Sequence, residues 1–201
     1  QLFVPLVMMG VVGTLAYNFG TVMPLFVTRD LGGSDMLFTV LFSIISVGSL
    51  IGALAAARRE VVTVRTVAMS SLGFGIAMLL LAVAPGIGLA VPAALLVGVT
   101  SIAFLVSSTA IVQLEAAPQM RGRVLALQAM LFLGSTPIGG PIVGWVAQNF
   151  GARWSIVLGA VACLGAAAWG LSAVRRSDPD ALDQPATPTT PTAPDGRPLA
   201  A

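Results

Sequence analysis

Five stretches of the chain, residues 1–28, 36–57, 66–114, 124–152 and 154–174, contain no charged side chain. A transmembrane helix needs about 20 predominantly apolar residues, so every one of these stretches is long enough to cross a bilayer. Charge is confined to the gaps and the C-terminal end, and amounts to 9% of the residues, against roughly 25% in a soluble domain. Apolar residues reach 57%, with 22 Gly and 13 Pro. That composition predicts an all-α polytopic membrane protein, because only helices and closed barrels satisfy their backbone groups in lipid. Soluble α/β, nucleic-acid-binding and disulfide-rich classes drop out. The formal charge of +2 says little about partners.

The uncharged run from Thr66 to Leu114 has 49 residues, too many for one span, and Ala84-Pro85-Gly86-Ile87-Gly88 supplies the turn that divides it. Six helices result, over about 4–28, 36–57, 66–84, 88–113, 123–147 and 154–174. The first run lacks a charged flank, exceeds signal-peptide length and opens on Gln, so the chain reads as a fragment. After Val174 the pattern changes: Ser177 to Ala201 holds six Pro, four Thr and four Asp. The expected organisation is a six-helix bundle over 1–175 and a disordered cytoplasmic tail over 176–201.

All 10 basic residues are Arg. The connections after helices two, four and six carry Arg58, Arg59, Arg65, Arg121, Arg123, Arg175 and Arg176, whereas those after one, three and five carry Arg29 and Arg153. The positive-inside rule then puts both ends of the six-helix unit in the cytoplasm.

There is no His, the single Cys163 lies within an apolar run, and no acidic residue lies deep in a span. A zinc site, His-ligated haem, Ser/His or paired-Asp membrane proteolysis and an intrachain disulfide therefore have no ligands or nucleophiles to use. No cofactor, metal or catalytic residue is expected. Cys163 reads as a packing residue.

Helix two reads Gly48-Ser-Leu-Ile-Gly52-Ala-Leu-Ala55 and helix five Gly140-Pro-Ile-Val-Gly144-Trp-Val-Ala147, placing two Gly and an Ala at the same spacing. Transporters are often built from inverted three-helix repeats, which would make these segments equivalent. Chance recurrence of small residues at helix contacts explains them equally well. In helix five, Pro137 and Pro141 each remove a backbone donor and neighbouring Gly residues remove bulk. A kinked, closely packed helix follows, with or without a gating role. Ser135, Thr136 and Gln128 stand ready to line a cavity. In helix one, Tyr17, Asn18 and Thr21 form a polar cluster before Pro24, which serves a cavity or an interhelical hydrogen bond. Ser101, Ser107, Ser108 and Thr109 of helix four are a weaker signal, since hydroxyls can bond their own helix. Met8, Met9, Met69, Met78 and Met130 read as core fillers.

Pro118 should end helix four, with Gly122 in a tight inner loop that presents Arg121 and Arg123 to the membrane surface. These arginines serve as anchors to anionic headgroups, or also as a latch on Glu115 and on helix-end carbonyls.

The six helices with both ends inside, the Arg-rich loop after helix two, and the run from Pro118 through Arg121-Gly122-Arg123-Val124 to Gly134-Ser-Thr-Pro137-Ile-Gly-Gly140-Pro141-Ile-Val-Gly144 resemble the C-terminal half of a major facilitator superfamily transporter. The nearest subgroup is similar to the enterobactin exporter and related drug-efflux carriers, where the corresponding loop is close to Pro-x-x-x-Arg-Gly-Arg-Val. Residues 118–124 match with one spacer fewer. The resemblance covers about 1–175, as helices seven to twelve of twelve. The family's loop signature Gly-x-x-x-Asp-Arg-x-Gly-Arg-Arg is degraded here. Gly52 is kept, Ala56 replaces the Asp, and Arg58 and Arg59 retain the basic part. Gly144, Gln148, Gly151 and Arg153 echo it in the other repeat.

The resemblance implies a secondary transporter working by alternating access in a bacterial plasma membrane, with a missing N-terminal six-helix half as partner and the lipid bilayer around it. It implies export of a small amphipathic substrate, drug-like or siderophore-like, by antiport. Nucleic acid is not expected as a partner. A non-transporting multi-pass subunit is the alternative, and it leaves the Pro/Gly-broken fifth helix without a purpose. The absence of ionisable groups at membrane depth places any proton-carrying acid on the other half.

Overall fold

The computed structural model describes residues 3–58 and 62–177, apart from the side chains of Thr136 and of residues 174–177. Arg59 and residues 178–201 of the expected tail lie outside the described residues. Among the described residues eight α-helices run in order: α1 Phe3–Leu15, α2 Phe19–Leu25, α3 Asp35–Ala57, α4 Val64–Ala82, α5 Ile87–Glu115, α6 Arg121–Gly134, α7 Thr136–Phe150 and α8 Ala152–Ser177. A π-helical turn over Phe26–Asp30 continues α2. Among the described residues six stretches are long and apolar enough to cross a membrane. Span one combines α1, α2 and the π turn, span five combines α6 and α7, and α3, α4, α5 and α8 are spans two, three, four and six.

The helix ends have local causes. Thr63 and Thr66 cap α4 reciprocally, each hydroxyl accepting the other's backbone N–H at 3.1 and 3.4 Å, which satisfies donors that the first turn would leave open. Residues 83–86, with Pro85, make the turn between α4 and α5. A single residue, Gly151, separates α7 from α8, and its φ of 97° is one that a side chain would resist. At the other end the turn between α5 and α6 is made by Ala117 to Met120, with Met120 N–H donating to Ala117 O at 2.8 Å. Gly122 was expected in that loop. It lies instead in the first turn of α6, because the chain reverses before Arg121 and the helix begins two residues early.

The packing of the spans is reciprocal. Span two lies along span four, span five lies along span one, and spans three and six lie along each other. The middle helix of each three-helix unit thus packs on the first helix of the other, as a three-plus-three duplication produces. Span three is the most deeply buried and spans two and five the least. The interior is filled by Met8, Met9, Phe26, Leu41, Phe74 and Phe104. Met78 and Cys163 are also buried, whereas Met69 and Met130 are 52% and 70% exposed. Those two methionines are therefore not core fillers: lipid is as apolar as the core, so hydropathy could not tell their faces apart.

Spans two and four meet backbone to backbone. A methyl group at Gly48 would strike Leu95 O, one at Gly52 would strike Val99 O, and one at Gly98 would strike Ile45 O. Ser49 adds a weak bond from Oγ to Gly98 O at 3.4 Å. Small residues permit this approach, which carries membrane helix association where the hydrophobic effect between helices is absent.

Candidate functional site

Span one is interrupted between Leu15 and Phe19, and the cause is local. In an unbroken helix the backbone N–H of residue 18 would donate to Thr14 O. The side chain of Asn18 takes that acceptor instead, with Nδ2 donating at 2.6 Å. Thr14 Oγ1 donates to Gly10 O at 2.6 Å in the turn before. Asn18 O then receives the N–H groups of Thr21 and Val22, both at 3.1 Å, and starts α2 afresh. Side chains competing with the backbone for its own partners break the helix.

Span five is interrupted at Ser135, which sits between α6 and α7 and donates to Phe132 O at 2.8 Å. Pro137 follows in the first turn of α7 and Pro141 lies within it. Pro137 lacks the N–H that a continuous helix would give to Leu133 O, so the interruption falls where the proline dictates.

The two interruptions face each other. A methyl at Gly13 would lie 3.3 Å from both Ser135 Oγ and the Phe132 ring. One at Gly139 would strike Thr14 O and stand 3.0 Å from Asn18 Nδ2. Asn18 and Ser135 are both buried. Gly140 and Gly144, by contrast, only touch Asn18 and Thr21 at ordinary distances of 3.9 and 3.7 Å. The close approach belongs to Gly139, one residue from the position singled out by its spacing.

Of the six cavity candidates, Tyr17, Asn18 and Ser135 come together here. The Tyr17 hydroxyl crosses to span four and donates to Ser101 O at 2.6 Å. Its ring packs edge-on against Phe74 and Phe132, at centroid distances of 5.4 and 5.0 Å. Thr21 is exposed, a turn beyond the break. Gln128 is buried one level away, with Nε2 donating to Thr109 Oγ1 at 3.0 Å. It lines a cleft of about 160 Å³ with Met9, Leu105 and Phe132. Thr136 contributes its backbone, as the first residue of α7.

The gating candidates among the described residues sit at the end of the bundle where α3 and α5 finish and α6 begins. Arg121 Nε donates to Ala116 O at 3.2 Å, closing the turn that it follows. Among the described residues Glu115 makes no ion pair with Arg121 or Arg123. Arg58 caps the end of α3 and is exposed. The opposite end holds a network that sequence reasoning missed. Arg153, in the first turn of α8, pairs with Asp30 at 3.3 Å. It donates to Ala82 O at 3.4 Å and Ala84 O at 2.9 Å, and lies 5.9 Å above the Phe26 ring. One guanidinium thus joins the ends of spans one and three to the start of span six. Nothing in the spacing of Asp30 and Arg153 announces the pair. For the Thr14–Asn18 bond the signal was available, since residues four apart face each other on a helix.

Six spans, reciprocal three-helix units and two interrupted helices that meet inside the bundle define a multi-pass membrane protein with half of a transporter fold. Residues 6–199 match the family model of the Major Facilitator Superfamily, and the chain belongs to that family. This places it in a family of membrane transporters rather than of enzymes. Two solved structures share the fold. A mutant of the peptide transporter POT superposes with a TM-score of 0.72 at 16% identity, covering 97% of this chain. The same mutant in complex with alafosfalin gives 0.71 at 17%, covering 94%. The chain spans only 41% of the length of either. At such identity the likeness concerns the fold alone. No curated protein matches the chain significantly.

Proposed function

We propose that the chain is the C-terminal half of a secondary transporter of the drug-efflux type that moves a small amphipathic compound by alternating access. The observation that carries this is the meeting of two interrupted spans, one and five, around Tyr17, Asn18 and Ser135. Non-helical backbone at membrane depth is tolerated only where protein or a cavity satisfies it, and such breaks mark binding and bending positions in transporters. Thr21 and Gln128 extend the polar lining.

The outward apolar surfaces of span two, with Val47, Leu50 and Leu54, and of span five, with Leu133, Ile138 and Trp145, are exposed. They suit lipid and an N-terminal six-helix partner. The Arg-rich end is cytoplasmic in a bacterial plasma membrane, with Arg58, Arg59, Glu115, Arg121, Gly122 and Arg123 forming the inner gate. The lining holds amide and hydroxyl groups and no acid, which suits a lipophilic substrate and leaves the proton carrier of an antiporter to the partner half.

The test is flux of lipophilic dyes by the full-length protein in proteoliposomes under a proton gradient. Replacing Arg121 and Arg123 together with Gln is expected to slow turnover several-fold while inserting as well as wild type. Unchanged turnover at equal protein would reduce both to anchors, and absence of any flux from the wild-type protein would overturn the transport reading.

A further inference from the structure

We propose that Gln128 is a specificity-determining acceptor, selecting ligands that carry an N–H or O–H donor beside a short apolar group, bound in the cleft between spans one, four and five. This deepens the transport reading and rests on it. The orientation of the amide follows from its neighbour. Thr109 Oγ1 donates to Leu105 O at 2.8 Å, which commits its only proton. Toward Gln128 that hydroxyl can only accept, so the group 3.0 Å away is the amino end. The carbonyl Oε1 is left, buried and without a hydrogen-bond partner among the described residues.

The side chain as a whole is 4% exposed. A buried acceptor left unpaired is costly, and nearly all buried polar groups are paired, so the missing donor calls for an explanation. The cleft supplies one. Its volume is about 160 Å³, and besides Thr109 and Gln128 its walls are Met9, Leu105, Leu125, Ala129 and Phe132. Among the described residues no charged group lines it. A ligand there finds apolar walls and one carbonyl acceptor, so amides and alcohols are welcome and carboxylates meet repulsion from Oε1. The terminal torsion of Gln is broad, and turning about it brings Oε1 to the cleft while the helix stays in place, giving up the bond from Nε2 to Thr109 Oγ1 in exchange for the ligand's donor. Thr109 and Gln128 lie six and seven residues from Glu115 and Arg121. At 1.5 Å per residue the cleft is about 10 Å inside the Arg-rich end.

The test uses the full-length transporter in nanodiscs and two tritiated probes, octanamide with two N–H donors and N,N-dimethyloctanamide with none, read by scintillation proximity. Wild type is expected to bind octanamide about tenfold more tightly, and Gln128→Met to bring the two probes to equal affinity. Should that variant fail to fold, Gln128→Asn withdraws the amide by one methylene and is expected to lose the preference as well. Equal binding by wild type, or a preference that survives either substitution, overturns the proposal. Failure of both probes to bind a protein that still moves dyes overturns it too while leaving the transport reading intact. Loss of all dye flux would be the failure of that reading.

Discussion

Spans two and four and spans five and one are the same contact made twice, the middle helix of one unit against the first helix of the other, yet the two copies are built differently. In the first, α3 and α5 are unbroken, and Gly48, Gly52 and Gly98 let the backbones touch, with Ser49 adding one weak bond across. In the second, both helices are interrupted, Gly139 makes the close approach, and Thr14, Asn18 and Ser135 occupy the space. Continuous helices seated on glycine have no slack. Helices cut at the contact can tilt about the cut, since few hydrogen bonds resist it. A bundle with one contact of each kind has a fixed side and a bendable side.

The strongest attack on that difference is to fill the sealed face. Gly98→Ala places a methyl against Ile45 O and near Ser49 N, and the rigid backbone of α3 leaves it no room. Overpacking of this kind is expected to cost about 3 kcal/mol and to lower the thermal midpoint in detergent clearly. Gly140→Ala at the bendable face, beside the close approach of Gly139 and at the position that the sequence spacing pairs with Gly48, meets only Asn18 Oδ1 at 3.9 Å and is expected to shift the midpoint within about 0.5 kcal/mol of wild type. Equal losses at the two sites would erase the distinction.

Arg153 bears on the bendable side. The break at residues 16–18 leaves α2 and its π turn disconnected from the ladder of α1, and Arg153 holds that outer piece through Asp30 and Phe26 while bonding Ala82 and Ala84 of the neighbouring hairpin. Arg153→Ala is expected to cost roughly 2 kcal/mol, mostly from the carbonyls and the carboxylate left behind, with little from the partly exposed ion pair itself. Hydrogen exchange should then quicken over residues 19–30 and stay slow over α1 and span two. Uniform quickening across the bundle would mean that span one behaves as a single helix despite its break.

How much of this could be read from the sequence divides along the same line. The gaps in charge locate all six spans to within a few residues, because the bilayer tolerates charge nowhere else. Pro85-Gly86 and Pro118 mark turns for the same reason that they do in soluble proteins. Tyr17, Asn18 and Ser135 were visible as polar residues in apolar runs, and the structure brings them together. The register of the contact was not visible: Gly139 and Gly140 are identical letters, and only the tilt of span five on Thr14 decides which one is pressed. Nor was the outward facing of Met69 and Met130, since inside lipid a helix need not be amphipathic to know its core. The pairing of Asp30 with Arg153 depends on which helix ends become neighbours, and their sequence carries no mark of it.

The smallest expected effect asks whether the two faces communicate. The Tyr17 hydroxyl leaves the broken segment of span one and ends on Ser101 O, one turn from Gly98 on span four. Tyr17→Phe keeps the ring against Phe74 and Phe132 and removes only that bond, for about 0.6 kcal/mol in a membrane interior. If the sealed face sets where span four lies, a methyl at Gly98 moves Ser101 away, and the hydroxyl has nothing left to lose. Tyr17→Phe in the Gly98→Ala background is then expected to cost close to nothing, and the double-mutant cycle to show coupling of the size of the single bond. Additive losses would mean that span four yields locally around Gly98 and that the fixed side and the bendable side respond independently, with Tyr17 serving span one alone.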